Sequence, residues 1–318
     1  MNAVVKFQDS HNINSELTVI NTPENLISHF FEYLDVSAQS VQTYRKGIRQ
    51  FMSYLHSENI SKPTRETVIA YKKELTAKGL KPSTVALYLS SIRRFFSWCE
   101  SESLYPNITN GIKSPKQQAG HKRDYLNGAQ IQAMLQNTQS KRDKAMISLI
   151  ATAGLRTVEV VRANVEDIHN VGGIWLLDIQ GKGHSSKDAF VQLSQPVYES
   201  IQEYLSERGN VKPNEPLFVS ESRRNSGKRL TTRTISQVCK NAMIKAGYDS
   251  PRLTAHSLRH SSATLALLAG VELTEVSAFM RHSSIGVTMV YIHSVNRLKS
   301  MCESAVTSAI FCSERRIA

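Results

Sequence analysis

Several short stretches of the chain carry side chains able to bind or transform an anion. Thr254-Ala255-His256-Ser257-Leu258-Arg259-His260 opens a run of small and apolar residues, Ser261 to Ala269, that ends at Gly270. On a helix, His256, Arg259 and His260 stand at i, i+3 and i+4 and project from one side, while Leu258, Leu265 and Leu268 face the core. One face of that helix is therefore cationic and rich in hydrogen-bonding groups. Upstream, Gly154-Leu155-Arg156-Thr157-Val158-Glu159 sets an arginine just past a glycine-broken helix, from where a guanidinium can be aimed at a fixed point. A structural pairing of Arg156 with Glu159 at i, i+3 is the plainer alternative. Lys182 lies between Gly181 and Gly183, and His282 stands nine positions before Tyr291. Taken singly, each has an ordinary role: a turn lysine, a satisfied polar core histidine, a packing aromatic.

Elements of helical period must position these residues. Tyr44, Ile48, Phe51 and Leu55 recur at i, i+4, i+7 and i+11, with Ser40 placed to cap their helix. Thr64 precedes Val68, Tyr71 and Leu75, and Gly79 stands at the C-terminal cap position. Ser83 then caps a long helix whose core face is Val85, Leu89, Ile92, Phe96 and Cys99, so Arg93 and Arg94 point elsewhere. With the apolar stretch Leu26 to Leu34 ahead of them, these predict a four-helix unit. Arg45 and Arg49, together with Lys72 and Lys73, give it a cationic side.

From Pro106 to Arg123 the composition is that of a linker, with Pro106, Gly111, Pro115 and Gly120 and no helical period. Its Lys113, Lys116, Lys122 and Arg123 suit a strap across a phosphate backbone, although a solvated linker looks similar. Beyond it, Asn127 caps a helix through Ile131 and Leu135, and Ala145 to Ala153 forms an apolar helix ended by Gly154. The period then changes: Ile174 to Ile179 and Ala189 to Leu193 predict two strands of a hairpin joined across Gly181-Lys182-Gly183. Helices resume with Val197, Ile201, Tyr204 and Leu205, and a basic loop with Arg223, Arg224, Lys228 and Arg229 leads to one carrying Ile235, Val238 and Ala242.

The 318 residues have room for two ordinary cores, and their 41% hydrophobic and 21% charged content is globular. The net charge is +12, divided as +6 up to Arg123 and +6 beyond it, so the surplus is not one basic tail. That points to a polyanionic partner touched by both halves. Cys99, Cys239, Cys302 and Cys312 form no C-x-x-C pair, which argues against a disulfide framework and a cysteine zinc site. No P-loop and no acidic cluster for Mg²⁺ is found, so neither a metal nor a cofactor is expected. With no long apolar run and no secretory start, the expectation is a cytoplasmic, nucleoid-associated protein that does not touch membrane.

The ordered set of motifs resembles the tyrosine recombinase family, also called the phage integrase family, over nearly the whole chain. G-L-R-x-x-E supplies Arg156, the G-K-G hairpin Lys182, H-x-L-R-H His256 and Arg259, and H-x8-Y His282 and Tyr291. The resemblance implies a mainly α, two-domain chain: an N-terminal four-helix core-binding domain and a mixed α+β catalytic domain, mostly helical with a small antiparallel sheet. The expected boundaries are an N-terminal extension at 1–22, a SAM-like core-binding domain at 23–107, a basic linker at 108–123, the catalytic domain at 124–294 and a tail at 295–318. The extension is too short for the extra arm-binding domain some members carry, which points to the compact, Xer-like build. One departure stands out: Arg281 occupies the place of the glycine that usually precedes the second histidine, altering the local backbone and adding a possible phosphate contact.

By the same resemblance, Arg156 and Arg259 hold the non-bridging oxygens of a phosphodiester with paired hydrogen bonds, and His282 donates to the same phosphate. Tyr291 is the nucleophile; its reference pKa near 10 makes ionisation at pH 7 cost roughly 4 kcal/mol, so His256 is the implied base. Lys182 is the implied acid for the departing 5′ oxygen, and Glu159 supports Arg156. Arg45, Arg49, Lys72, Lys73, Arg93, Arg94, Lys113, Lys116, Lys122, Arg123, Arg223 and Arg224 are the expected DNA contacts. The implied activity is site-specific recombination of double-stranded DNA, for integration or excision of a mobile element or for resolution of replicon dimers. It would be carried out by a homotetramer, or a heterotetramer with a second recombinase. The tail, with Val306, Ile310 and Phe311, would dock on a neighbouring subunit, its alternative being to pack on its own domain. Type IB topoisomerase-like relaxation and non-catalytic DNA binding are the alternative functions.

Overall fold

The computed structural model describes residues 23–116, 124–181, 183–282 and 284–289, together with 306–307 and 310. They fall into two compact units, one up to residue 120 and one from 121. In the first, α1 (Pro23–Tyr33), α2 (Ala38–Ser57), α3 (Arg65–Ala77) and α4 (Pro82–Ser101) bury their apolar faces against one another. The interior is aromatic: Phe51 meets Tyr71 edge-on at 5.1 Å between ring centroids, and Phe30 meets Phe95 edge-on at 5.3 Å. Helices α2 and α4 approach closely at Gly47, where a Cβ would lie 2.3 Å from Ser91 Oγ.

The expected core faces are the buried ones, but two helix starts differ. The cap of α2 is Ser37, whose side chain accepts from the Ser40 amide, so the helix begins one turn earlier than Ser40 suggested. In α4, Lys81 is the capping residue and Pro82 the first helical one, where proline's missing N–H costs nothing. Thr64 is the N-cap residue of α3, its backbone N–H donating to Thr67 Oγ1 at 3.0 Å. The chain leaving α4 stays on this unit. Ile112 is buried in its core, and Arg65, Lys72 and Arg93 donate to the carbonyls of Asn110, Lys113 and Ile112.

The second unit is built on α6 (Lys141–Ala153), whose Ala145, Met146, Ile147, Leu149 and Ile150 are fully buried. Around its core stand α5 (Gly128–Gln136), α7 (Thr157–Arg162), α8 (Gln195–Arg208), α9 (Thr232–Lys245) and α10 (Ala255–Leu268), with α11 (Leu273–Phe279) following. Asn127 and Gln130 close a reciprocal capping box at the start of α5. The predicted hairpin is present as β2 (Ile174–Ile179) and β3 (Ala189–Leu193), paired from Trp175 opposite Leu193 to Ile179 opposite Ala189. A third strand, β1 (Ile168–Val171), was not foreseen; it pairs antiparallel with β2, giving the order β1-β2-β3. Leu177, Ile179, Val191 and Leu193 turn one face of the sheet into the core.

Candidate active site

Three helix ends of the second unit converge on one carboxylate. Helix α6 ends at Gly154 in the left-handed conformation, φ +58°, and a Cβ there would sit 3.0 Å from Met280 Sδ and 3.2 Å from the Phe279 ring. Glycine is thus required twice over, by backbone sign and by the closeness of the end of α11. The sharp turn puts Arg156 at the N-cap of α7 and Glu159 one turn inside it. Glu159 is fully buried. Its Oε2 accepts the Arg156 backbone N–H at 2.7 Å, and its Oε1 accepts Arg156 Nη1 at 2.8 Å. The structural pairing and the aiming of a guanidinium turn out to be the same interaction.

Arg259, in the second turn of α10, reaches the same place from the other side. It is 1% exposed, with Nη1 4.0 Å from Glu159 Oε2 and its two terminal nitrogens donating to the carbonyls of Gly154 and Met280. Arg281 completes the cluster, and here the structure departs from the expected phosphate contact. Its backbone has φ +51°, the conformation that glycine would supply. The turn closes as a Schellman motif, with Arg281 N–H donating to Ala278 O and His282 N–H to Ser277 O. The guanidinium is engaged inside the protein: Nη1 donates to Phe279 O at 2.7 Å, and Nη2 lies 3.1 Å from Gly154 O and 3.2 Å from Glu159 Oε2. Arg156 Nη2 in turn donates to Arg281 O at 3.1 Å.

Three permanent cations around one buried carboxylate leave a local surplus of positive charge, which suits an entering anion. Arg156, 28% exposed at its side chain, is the most open of the three. His282 follows the Schellman turn, and its Nδ1 lies 2.8 Å from Oγ1 of the buried Thr288. Burial first, then the charges of Arg259, Arg156 and Arg281, push the His282 imidazole down to about 4, so it is neutral at pH 7. His256 is exposed in the first turn of α10, with its ring 6.4 Å from that of His260 and almost perpendicular to it. The structure thus brings together Arg156, Glu159, Arg259 and His282. Lys182 and Tyr291 lie outside the described residues. Sequence reasoning missed Arg281 as a ligand of Glu159 and Thr288 as the partner of His282.

The phage integrase family matches residues 124–297, more than half of the chain, and its N-terminal SAM-like domain matches residues 27–103. The chain belongs to the phage integrase family. Relatives of this tyrosine recombinase family include tyrosine recombinase XerD of Oceanobacillus iheyensis, 29% identical, with 88% of this chain and 98% of that one covered. Tyrosine recombinase XerC of Haemophilus influenzae is also 29% identical, over 84% of this chain and 92% of its own. Among solved structures, XerH site-specific recombinase bound to palindromic difH substrate superposes with TM-score 0.71 at 22% identity, covering 92% of this chain and 86% of that one. The Tn1549 transposon integrase in complex with transposon right end DNA gives TM-score 0.67 at 16% identity, covering 88% and 98%. These likenesses show the same fold.

Of the cations expected to meet DNA, Arg49, Lys73, Arg94, Lys113, Lys116, Arg223 and Arg224 are exposed. Arg45 is exposed too, with its guanidinium carbon 4.5 Å from the centroid of the Phe31 ring. Lys72 and Arg93 are instead engaged with the chain's own backbone: Lys72 holds Lys113 O at 2.7 Å, and Arg93 holds Ile112 O at 2.6 Å and Ser114 Oγ at 3.0 Å. Lys122 and Arg123 lie outside the described residues.

Proposed function

We propose that this member of the phage integrase family is a site-specific recombinase that cuts and rejoins strands of double-stranded DNA through a 3′-phosphotyrosine. The observation that carries the reading is the convergence of Arg156 and Arg259 on buried Glu159, with His282 beside them. The Arg156 guanidinium, partly exposed and fixed by Glu159, stabilises the charge that develops on the non-bridging oxygens, and Arg259, buried with its terminal nitrogens on the Gly154 and Met280 carbonyls, adds a fixed positive charge behind it. His282 enters as a neutral imidazole; with Nδ1 accepting from the Thr288 hydroxyl, its Nε2 carries the hydrogen offered to phosphate. The Tyr291 oxygen attacks phosphorus and its proton passes to His256. The bond from phosphorus to the 5′ oxygen breaks, and Lys182 protonates that oxygen. The phosphotyrosine ester keeps the energy of the broken phosphodiester, so a 5′ hydroxyl from another duplex reverses the step and seals a recombinant strand.

In this reading residues 23–107 form a core-binding domain, 108–123 a basic linker and 124–294 the catalytic domain, and the duplex touches both units. Val306 and Ile310, 56% and 61% exposed, are suited to docking the 295–318 tail on another subunit of a homotetramer or heterotetramer. The setting is the cytoplasm, at the nucleoid, and the role is integration or excision of a mobile element or resolution of replicon dimers. Two labelled duplexes carrying the site separate recombination from relaxation. The expected product is a hybrid duplex with no consumption of ATP. Relaxation of supercoiled DNA without any hybrid would favour the topoisomerase alternative instead.

A further inference from the structure

The Arg156 guanidinium is planar, and two contacts fix where that plane lies. Nη1 donates to Glu159 Oε1 at 2.8 Å and Nη2 to the Arg281 carbonyl at 3.1 Å. A guanidinium carries five N–H groups in a rigid fork, so two bonds set its orientation and leave other donors to meet an anion. Both anchors lead to Arg281. Its carbonyl is the second anchor itself, and its Nη2 lies 3.2 Å from Oε2 of Glu159, the carboxylate that supplies the first. The same side chain ties its own turn down: Nη1 donates to Phe279 O at 2.7 Å, at the end of α11, and Nη2 lies 3.1 Å from Gly154 O, at the end of α6. One residue thus joins the ends of α6 and α11 to the first turn of α7, and touches both supports of Arg156.

The arrangement carries costs that fold stability does not ask for. Arg281 has φ +51°, a conformation that glycine adopts without strain. Its charge is taken largely out of water, with 16% of the side chain exposed, and its buried Nε has no hydrogen-bond partner among the described residues. An ion pair buried in this way is weak evidence of a stabilising role, because desolvation offsets much of the attraction. A left-handed backbone and an incompletely bonded cation, both beside the proposed phosphate ligand, point to function instead. We propose that Arg281 is a positioning residue that fixes the plane of the Arg156 guanidinium, through Glu159 on one side and through its own carbonyl on the other. This rests on the reading of Arg156 as a ligand of the scissile phosphate.

Single-turnover cleavage of saturating site DNA by the full chain tests this through a double-mutant cycle of positions 281 and 156. Arg281→Gly suits the left-handed backbone and removes only the side chain. It should slow cleavage about 10- to 100-fold, the range expected for a misplaced ligand. Affinity for site DNA, which many phosphate contacts share, should stay within about 3-fold. Arg156→Lys, which keeps a charge but not the fork, should slow cleavage about 100- to 1000-fold. Beside Arg156→Lys, the Arg281→Gly change should slow it no more than about 3-fold further, because no guanidinium is left to orient. Arg281→Lys keeps the charge and loses the fork; it should slow cleavage about 3- to 10-fold alone and show the same loss of effect beside Arg156→Lys. It decides the matter if Arg281→Gly does not fold. Normal cleavage at saturation by Arg281→Gly, or by Arg281→Lys where the glycine variant does not fold, overturns the role of Arg281. So does slowing that persists undiminished beside Arg156→Lys, which would make Arg281 act by its own charge. Normal cleavage by Arg156→Lys alone would remove the phosphate ligand, and the proposal falls with that reading.

Discussion

Glu159 has two oxygens, and three arginines meet at them. A carboxylate buried without partners would be expelled or protonated, and guanidiniums gathered without an anion would repel. Each makes the other tolerable. The Arg156–Glu159 pair was legible in the sequence because both ends lie within one helical turn. Arg281 was not: its ligands Gly154 O and Glu159 lie more than a hundred residues away along the chain, and no local spacing encodes such a contact. His282 carries the clearest consequence. The folded chain resists protonating it until about pH 4, whereas an unfolded chain takes the proton near 6.5, so the unfolded state binds more protons between these values. Stability therefore falls as pH falls from about 6.5 to about 4. Thermal unfolding at pH 7.5 and pH 5 should show His282→Gln losing less stability over that interval than the unaltered protein. Equal losses would mean that the imidazole titrates alike in both states.

At the scale of elements, most helices and the β2–β3 hairpin could be read from apolar period, because a period reports which face must be buried. Starts and short pieces could not. Ser37 and Ser40 are chemically equal candidates for a cap, and what decides is that the Val41 N–H already donates a helical bond to Ser37 O, at 3.0 Å. Strand β1 has only Ile168-His169-Asn170-Val171, too short and too polar to show alternation, and exists because β2 offers it an edge. Among the described residues, the aromatic interior of the first unit holds one misfit: the Tyr71 hydroxyl is buried with no hydrogen-bond partner among them, and burial raises its pKa. Tyr71→Phe keeps the ring contacts with Phe51 and Tyr54 and removes the unpaired oxygen. Equilibrium unfolding of the full chain should therefore show a gain of about 1 kcal/mol. A loss of similar size would reveal a partner for that hydroxyl.

Over the whole molecule, the +12 charge is spread through both halves of the sequence, and the structure sorts it into two kinds. Arg49 and Arg94 are exposed, whereas Arg93 holds the chain that leaves α4. Composition cannot make that distinction, since it depends on which carbonyls a fold leaves within reach. Titrating binding of site DNA against salt should separate the two kinds. Arg49→Gln should reduce the slope of log affinity against log salt by about 1, one phosphate contact, while Arg93→Gln leaves the slope unchanged and lowers the melting temperature. A flatter slope for Arg93→Gln would place its charge on the backbone after all.

The proposed reaction turns on one covalent event, and it can be looked for directly. Site DNA nicked just beyond the scissile phosphate lets the short 5′ fragment diffuse away, so that a cleaved complex accumulates. Quenched in denaturant and digested, the unaltered protein should yield a peptide containing Tyr291 esterified to the 3′ phosphate, and Tyr291→Phe should yield none. An adduct on another residue, or an undiminished adduct from Tyr291→Phe, would contradict the assignment of the nucleophile and the chemistry built on it.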